Sequence, residues 1–237
     1  NKNNSVFLNK INFAESKNLI KIKNINLNSK KKLKRIDQID IDLVNNNDQI
    51  SQLNIKRKKS NYSINSKIFD GTKILDRILF SKSDGNFFDA FEKLNSKITI
   101  NLNTIYITNE DYLTNFKADM IVNNNQIKDL ILSSQFSTKE DLKLSIKTNS
   151  NNERITDLFA GNAKPLVKKY DFIKGFEGGY LKFDSIEKNK VSNSNLKIFD
   201  FKLKEVPALT KLLTLASLQG IADLLTGEGI RFNEFEM

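Results

Sequence analysis

Apolar and polar residues alternate with period two along most of this chain. Ile39, Ile41 and Leu43 flank Asp40 and Asp42. Ile98, Ile100 and Leu102 flank Thr99 and Asn101, and Ile105 and Ile107 continue after a one-residue slip. Ala118, Met120 and Val122 follow, then Leu130, Leu132 and Phe136, then Leu142, Leu144 and Ile146, and finally Phe199, Phe201 and Leu203. Side chains of a strand point to opposite faces in turn, so each run predicts a strand with one apolar and one wet face. Ile20, Ile22, Ile25 and Leu27 carry another one-residue slip, which predicts a β-bulge. The connections are short and Asn-rich: Asn45 to Asp48, Asn123 to Asn125 and Asn149 to Asn152. Asn tolerates positive φ and bonds its own backbone, so these predict hairpin turns and an antiparallel meander. The βαβ rhythm of a parallel sheet is absent.

Helical spacing is confined to three places. Residues 71–80 (GTKILDRILF) follow Asp70, and residues 87–94 extend that pattern. Residues 154–170 carry Ile155, Leu158, Phe159, Leu166 and Val167, with Pro165 expected to break or restart the helix. Residues 207–226 begin with Pro207, are followed by Gly227, and are apolar nearly all round, a punctuation that suits a helix. They are too short, and too interrupted by Gly220 and Asp223, to cross a bilayer. The expected fold is mainly β: an antiparallel, twisted open sheet forming a hydrophobic groove, with a few short helices, one near the C-terminus. Residues 1–65, richer in Lys and Asn, are expected to continue the sheet of residues 66–237.

Ten to twelve strands each expose an apolar face, and three or four helical pieces cannot cover them all. Two sheets could cover each other in a closed sandwich. Otherwise the sheet is open and its apolar face is available to an apolar ligand. Periodicity leaves both open. An outer-membrane barrel fits poorly, because the runs are irregular in length and Trp is absent.

Composition narrows the chemistry. The 237 residues contain no Cys, His or Trp, so thiol nucleophiles, disulfides, Cys/His zinc sites and a His base are excluded. Asp40 with Asp42, and Glu110 with Asp111, are carboxylate pairs at wet positions and read as solvated charge. Residues 175–179 (GFEGG) lack the Lys-Ser/Thr of a phosphate loop and read as a turn. The expectation is no catalysis and no cofactor or metal. The net charge of +10 goes with an Asn-, Lys- and Ile-rich composition that AT-rich codons would produce. The lysines are dispersed apart from Lys30-Lys31-Lys32 and lack interleaved aromatics, so no nucleic-acid partner is expected.

Residues 196–235 (LKIFDFKLKEVPALTKLLTLASLQGIADLLTGEGIRFNEF) closely resemble the C-terminal region of AsmA-like proteins. The matching positions are Asp200-Phe201, Pro207-Ala208-Leu209, Leu212-Leu213, Ala216-Ser217-Leu218, Gly220-Ile221, Gly227 and Gly229-Ile230 with Phe232. Upstream, Phe69-Asp70-Gly71 with Ile74-Leu75 resembles a second family element, and residues 157–182, with paired Gly178-Gly179, a third. The resemblance runs from about Ile64 to Met237. It implies a long groove-like sheet of stacked strands, in an inner-membrane-anchored protein that crosses the periplasm of Gram-negative bacteria. It also implies phospholipid acyl chains as ligands, with the inner and outer membranes reached through the parent protein. The family's N-terminal anchor has no counterpart here, so the chain is expected to be a piece of a longer protein. The alternating residues above are the expected groove lining. Oligomeric state and lipid species stay open.

Overall fold

Among the described residues the alternating runs assemble into one sheet of thirteen strands, arranged side by side in the order of the sequence. The computed structural model describes residues 5–44, 50–72, 88–170, 174–204 and 229–237. About 72 % of these residues are strand. The strands are β1 (Val6–Glu15), β2 (Asn18–Leu27), β3 (Leu33–Val44), β4 (Ile50–Lys58), β5 (Asn61–Asp70), β6 (Ser96–Tyr106) and β7 (Tyr112–Asn123). They continue with β8 (Gln126–Phe136), β9 (Asp141–Thr148), β10 (Arg154–Ala160), β11 (Phe176–Lys188), β12 (Val191–Leu203) and β13 (Ile230–Glu236). A single helix among the described residues, α1 (Lys164–Tyr170), lies between β10 and β11.

Every neighbouring pair is antiparallel except β5 and β6, which run parallel. A parallel step needs a long crossover, and residues 71–95 supply it. The meander is therefore interrupted once. The 65/66 boundary falls inside β5, so residues 1–65 and the rest share one sheet. The helical patterns at 73–80 and 207–226, and the turn at 45–48, lie outside the described residues.

The helix expected over 154–170 is half wrong. Residues 154–160 pair with β9 and β11 as β10, and only the last seven residues are helical. Ile155, Leu158 and Phe159 fit either period, and pairing on both sides decides for strand. Pro165 starts the helix instead of breaking it: it occupies the first turn, where its missing N–H costs nothing. Asn162 Oδ1 accepts the Lys164 amide at 3.1 Å just before it. Residues 88–94 are not helical; Phe88 to Ala90 form a turn, and Phe91 bridges to Leu33.

Turn chemistry explains the hairpins. Asn124 and Asn125 both have positive φ (50° and 64°), as do Asn189 and Lys190 (51° and 65°). Two-residue hairpin turns favour this geometry, because its twist matches that of the flanking strands. Asn28 organises the β2–β3 turn. Its Oδ1 accepts the amides of Lys30 and Lys32, each at 2.9 Å, and its own amide donates to Lys32 O. Replacing it with Ala strands two amides, so Asn28→Ala is expected to cost about 1–2 kcal/mol in urea unfolding.

Three spacing slips have one physical cause, which the slip from Leu102 to Ile105 does not share. At three jumps in apolar spacing from two to three, the Asn or Asp just before the second apolar residue takes positive φ: Asn24 (53°) between Ile22 and Ile25, Asn115 (53°) between Leu113 and Phe116, and Asp200 (54°) between Ile198 and Phe201. At Asn115 the register with β8 also shifts, as a bulge requires. At Asn24 it does not, because β1 and β3 pair across it without an inserted residue. The expected bulge in β2 is therefore a left-handed residue, and the register shift with β3 comes later, between Asn26 and Leu27.

Candidate functional site

Directly opposed residues in a sheet share a face, so the pairing register shows what each face carries. One row crosses twelve strands without a polar residue: Ile11, Ile22, Ile39, Ile55, Ile64, Ile100, Ala118, Leu132, Leu144, Leu158, Phe183 and Leu196. At ~4.8 Å per strand this row is about 50 Å long. A second row beside it, Ile98, Met120, Leu130 and Ile146, starts at Tyr62 and turns polar at Thr156, Ser185 and Ser194.

The opposite face is largely polar, with Ile121 and Ile131 exposed on it. Asn12, Lys21, Asp40, Asn54, Asn65, Asn101, Lys117, Ser133 and Lys143 form one of its rows. Asn54 donates to Asp40 within that row, and Thr99 donates to Asp119 at 2.9 Å in the next.

The apolar face is deepest over β6 to β10. Ile100, Phe116, Ala118, Met120, Leu130, Leu132, Leu142, Leu144 and Leu158 line a pocket there of about 60 Å³. That is well below the roughly 300–1,000 Å³ of an enclosed small-ligand site, so the face offers a shallow trough and not a closed pocket. At one end it meets Ile107, Leu113 and two residues of α1, Leu166 and Lys169. The Lys169 ammonium donates to Thr72 O at 2.9 Å and Ile107 O at 3.0 Å, so α1 is tied to the ends of β5 and β6. Lys168 pairs with Glu110 at 2.5 Å on the same end, and that ammonium holds the Glu110 carboxyl below its ordinary pKa. The hydroxyl of buried Ser134, on β8, is satisfied: it donates to Thr114 O at 2.8 Å, a carbonyl beside the Asn115 bulge.

The expected lining residues of β6 to β9 share this face. Ile98, Leu102, Ala118, Met120, Val122, Leu130, Leu132, Phe136, Leu142, Leu144 and Ile146 are buried, and Ile100 is half-buried. Ile39, Ile41 and Leu43 are half-buried on the shallower β3. Phe201 is buried and stacks on Phe176 and Phe232, at 5.1 and 5.3 Å between ring centres, with Leu203 packed against the same core. Phe199 is a correction. Its strand neighbour Ile198 is fully buried, whereas Phe199 stacks on Tyr180 at 4.8 Å under the Lys182 ammonium, with Phe159 beside Tyr180. The positive φ at Asp200 reverses alternation between Phe199 and Phe201, so both cannot line one face. Leu113, Phe116, Leu158 and Leu166 were missed. Leu158 was hidden by its helical spacing, and Leu113 and Phe116 by the three-residue slip around Asn115.

Tyr62 caps the second row. Burial raises its phenol pKa above 10.0, outweighing the Ile36 backbone hydrogen bond and the guanidiniums of Arg57 and Arg35, which lower it. A group with a raised folded pKa favours the folded state below its unfolded pKa, and that advantage is lost as pH rises through the folded value. In absorbance titration of the five tyrosines, one is expected to ionise late, and Tyr62→Phe should remove that late phase.

Among the described residues no group of three His, Cys, Asp or Glu could hold a metal ion. No helix among them is long and apolar enough to cross a membrane. No family model, no curated protein and no solved structure matches the chain.

Proposed function

We propose that this chain is a non-enzymatic segment of a cell-envelope protein that holds lipid acyl chains along its apolar face. In this reading it supports phospholipid movement between inner and outer membranes, from the periplasm, as part of an inner-membrane-anchored protein of the AsmA-like kind. The observation that carries the reading is the unbroken apolar row from Ile11 to Leu196, with the pocket over β6 to β10 as its deepest stretch. An acyl chain of ~16 carbons costs on the order of 10 kcal/mol to expose to water, at ~0.8 kcal/mol per CH₂. A continuous apolar row lowers that cost at every step of a passage across the sheet, with no bond made or broken. The polar row on the opposite face keeps the protein wetted outside. No cofactor enters the scheme.

A second reading has its own observation. Over β6 to β9 most side chains of the face are nearly inaccessible, Met120 and Ile98 at 5 % and 4 % exposure, as in an ordinary filled core. The chain would then be a structural module that maintains the outer membrane without carrying lipid. Photo-crosslinking separates the two. A photoreactive residue at Ile100 or Leu158, on the pocket, is expected to label phospholipid co-purified with the chain. The same residue at Thr99 or Asp157, their neighbours on the opposite face, is expected not to. Equal labelling from both faces, or no extractable lipid, rejects the lipid reading.

A further inference from the structure

The net charge is gathered at one end of the sheet. Residues 1–70 contain 15 Lys+Arg and 6 Asp+Glu, a balance of +9, while residues 71–237 contain 23 and 22, a balance of +1. The fold concentrates it further. β2 and β4 both lie antiparallel to β3, so they run the same way and their turns project from one end of the sheet. The β2–β3 turn presents Lys30, Lys31 and Lys32, with Lys34 at the start of β3, and the β4–β5 turn presents Lys59, with Lys56 and Lys58 at the end of β4, all exposed. Two strand spacings, about 10 Å, separate the turns. Arg35 and Arg57 share Asp37, at 3.2 and 3.6 Å. Among the described residues, Lys30, Lys31, Lys34, Lys56, Lys58 and Lys59 form no ion pair.

Apolar side chains sit beside this charge. β1 runs opposite to β2, so it starts at the same end, with Val6 opposite Leu27 and Phe7 opposite Asn26, just before the lysine turn. Val6 is 48 % exposed and Phe7 52 %. The turn itself is fixed by the Asn28 hydrogen bonds, so the lysines stand on a rigid support.

We propose that this end of the sheet, Val6 to Leu8 together with the two lysine turns, docks on a bilayer surface carrying anionic headgroups. Lysines there attract the negative surface, and exposed Val, Phe and Leu enter the boundary between headgroups and acyl chains. A nucleic acid would use the lysines but gain little from Val6 and Leu8. The site stands apart from the pocket over β6 to β10, so docking and acyl-chain holding can fail separately.

The test is co-sedimentation of the chain with vesicles, either pure phosphatidylcholine or three parts phosphatidylcholine to one part phosphatidylglycerol. Binding to the mixed vesicles only is expected, weakening with salt. Substituting Ser for Lys30, Lys31 and Lys32 together should weaken it about 100-fold at low salt. Substituting Ser for Val6, Phe7 and Leu8 should weaken vesicle binding and leave binding of inorganic polyphosphate unchanged. The lysine variant should take up a monomeric fluorescent fatty acid as the parent chain does, which also shows that it is folded. Equal binding to both vesicle types, undiminished binding by the lysine variant, or single-stranded DNA displacing the vesicles at equal salt would overturn the proposal. If fatty-acid uptake is absent while charge-dependent docking holds, the groove reading falls and the docking proposal stands.

Discussion

A carboxylate in place of Met120 is expected to destabilise the sheet by about 5–8 kcal/mol and to abolish acyl-chain binding. Met120 is buried between Ile98 and Leu130 in the floor of the pocket. Truncating such a side chain costs about 2–5 kcal/mol, and an unpaired buried charge adds several more unless it takes up a proton. Domains of this kind have roughly 5–15 kcal/mol of stability to lose, so the variant should be near its unfolding limit at neutral pH. Burial raises the folded-state pKa of the new carboxyl. The damage should therefore shrink as pH falls through that raised value. Urea unfolding at several pH values measures both. Ile100→Asp, at a half-buried position of the same pocket, should fold better and still lose lipid, which separates binding from stability. Ser133 is exposed between Lys117 and Lys143 on the opposite face. Ser133→Asp should therefore change stability by no more than about 0.5 kcal/mol, as surface substitutions usually do. An Ile100→Asp protein that still carries lipid would mean that the pocket is ordinary core.

Gly179→Ala is expected to cost about 2–4 kcal/mol, a fall in melting temperature of roughly 5–15 °C for a chain of this size. Gly179 has φ 74°, and an added Cβ would lie 2.7 Å from Phe199 O and 2.9 Å from Phe201 Cβ. Its carbonyl also accepts the Ala163 amide at 2.9 Å, so the backbone cannot move away without loosening the approach to α1. Gly178→Ala is the comparison. Its φ is 70°, but a Cβ there meets nothing closer than Asp200 O at 3.8 Å. It should show only the left-handed penalty of about 1 kcal/mol. Equal melting temperatures for the two variants would show that backbone conformation, and not the crowding under Phe199 and Phe201, sets the cost.

The amino-acid sequence alone determined the strand character and the sidedness of β3, β6, β7, β8 and β9. A period of two in a half-buried sheet admits one assignment of faces, since a slip of one residue would turn the whole apolar set to water. It also determined the hairpins, because Asn124, Asn125 and Asn149 carry the turn in their own backbone preferences and side-chain oxygens. The reversals at Asn115 and Asp200 were legible too. A three-residue apolar step with Asn or Asp just before its end marks a left-handed residue, and reading Asp200 that way would have moved Phe199 off the apolar face.

Tertiary structure decided the rest. Residues 154–160 satisfy helical and strand spacing equally, and only the edges of β9 and β11 on either side made them β10. The parallel step between β5 and β6 depends on where a long connection delivers the chain, which no local pattern encodes. The row from Ile11 to Leu196 is a property of register: twelve separate strands each supply one residue, and their alignment comes from pairing, not from any one segment. The basic end arose the same way. Lys30 to Lys34 and Lys56 to Lys59 are two unremarkable charge runs until the common direction of β2 and β4 brings their turns to one end, beside Val6 and Phe7.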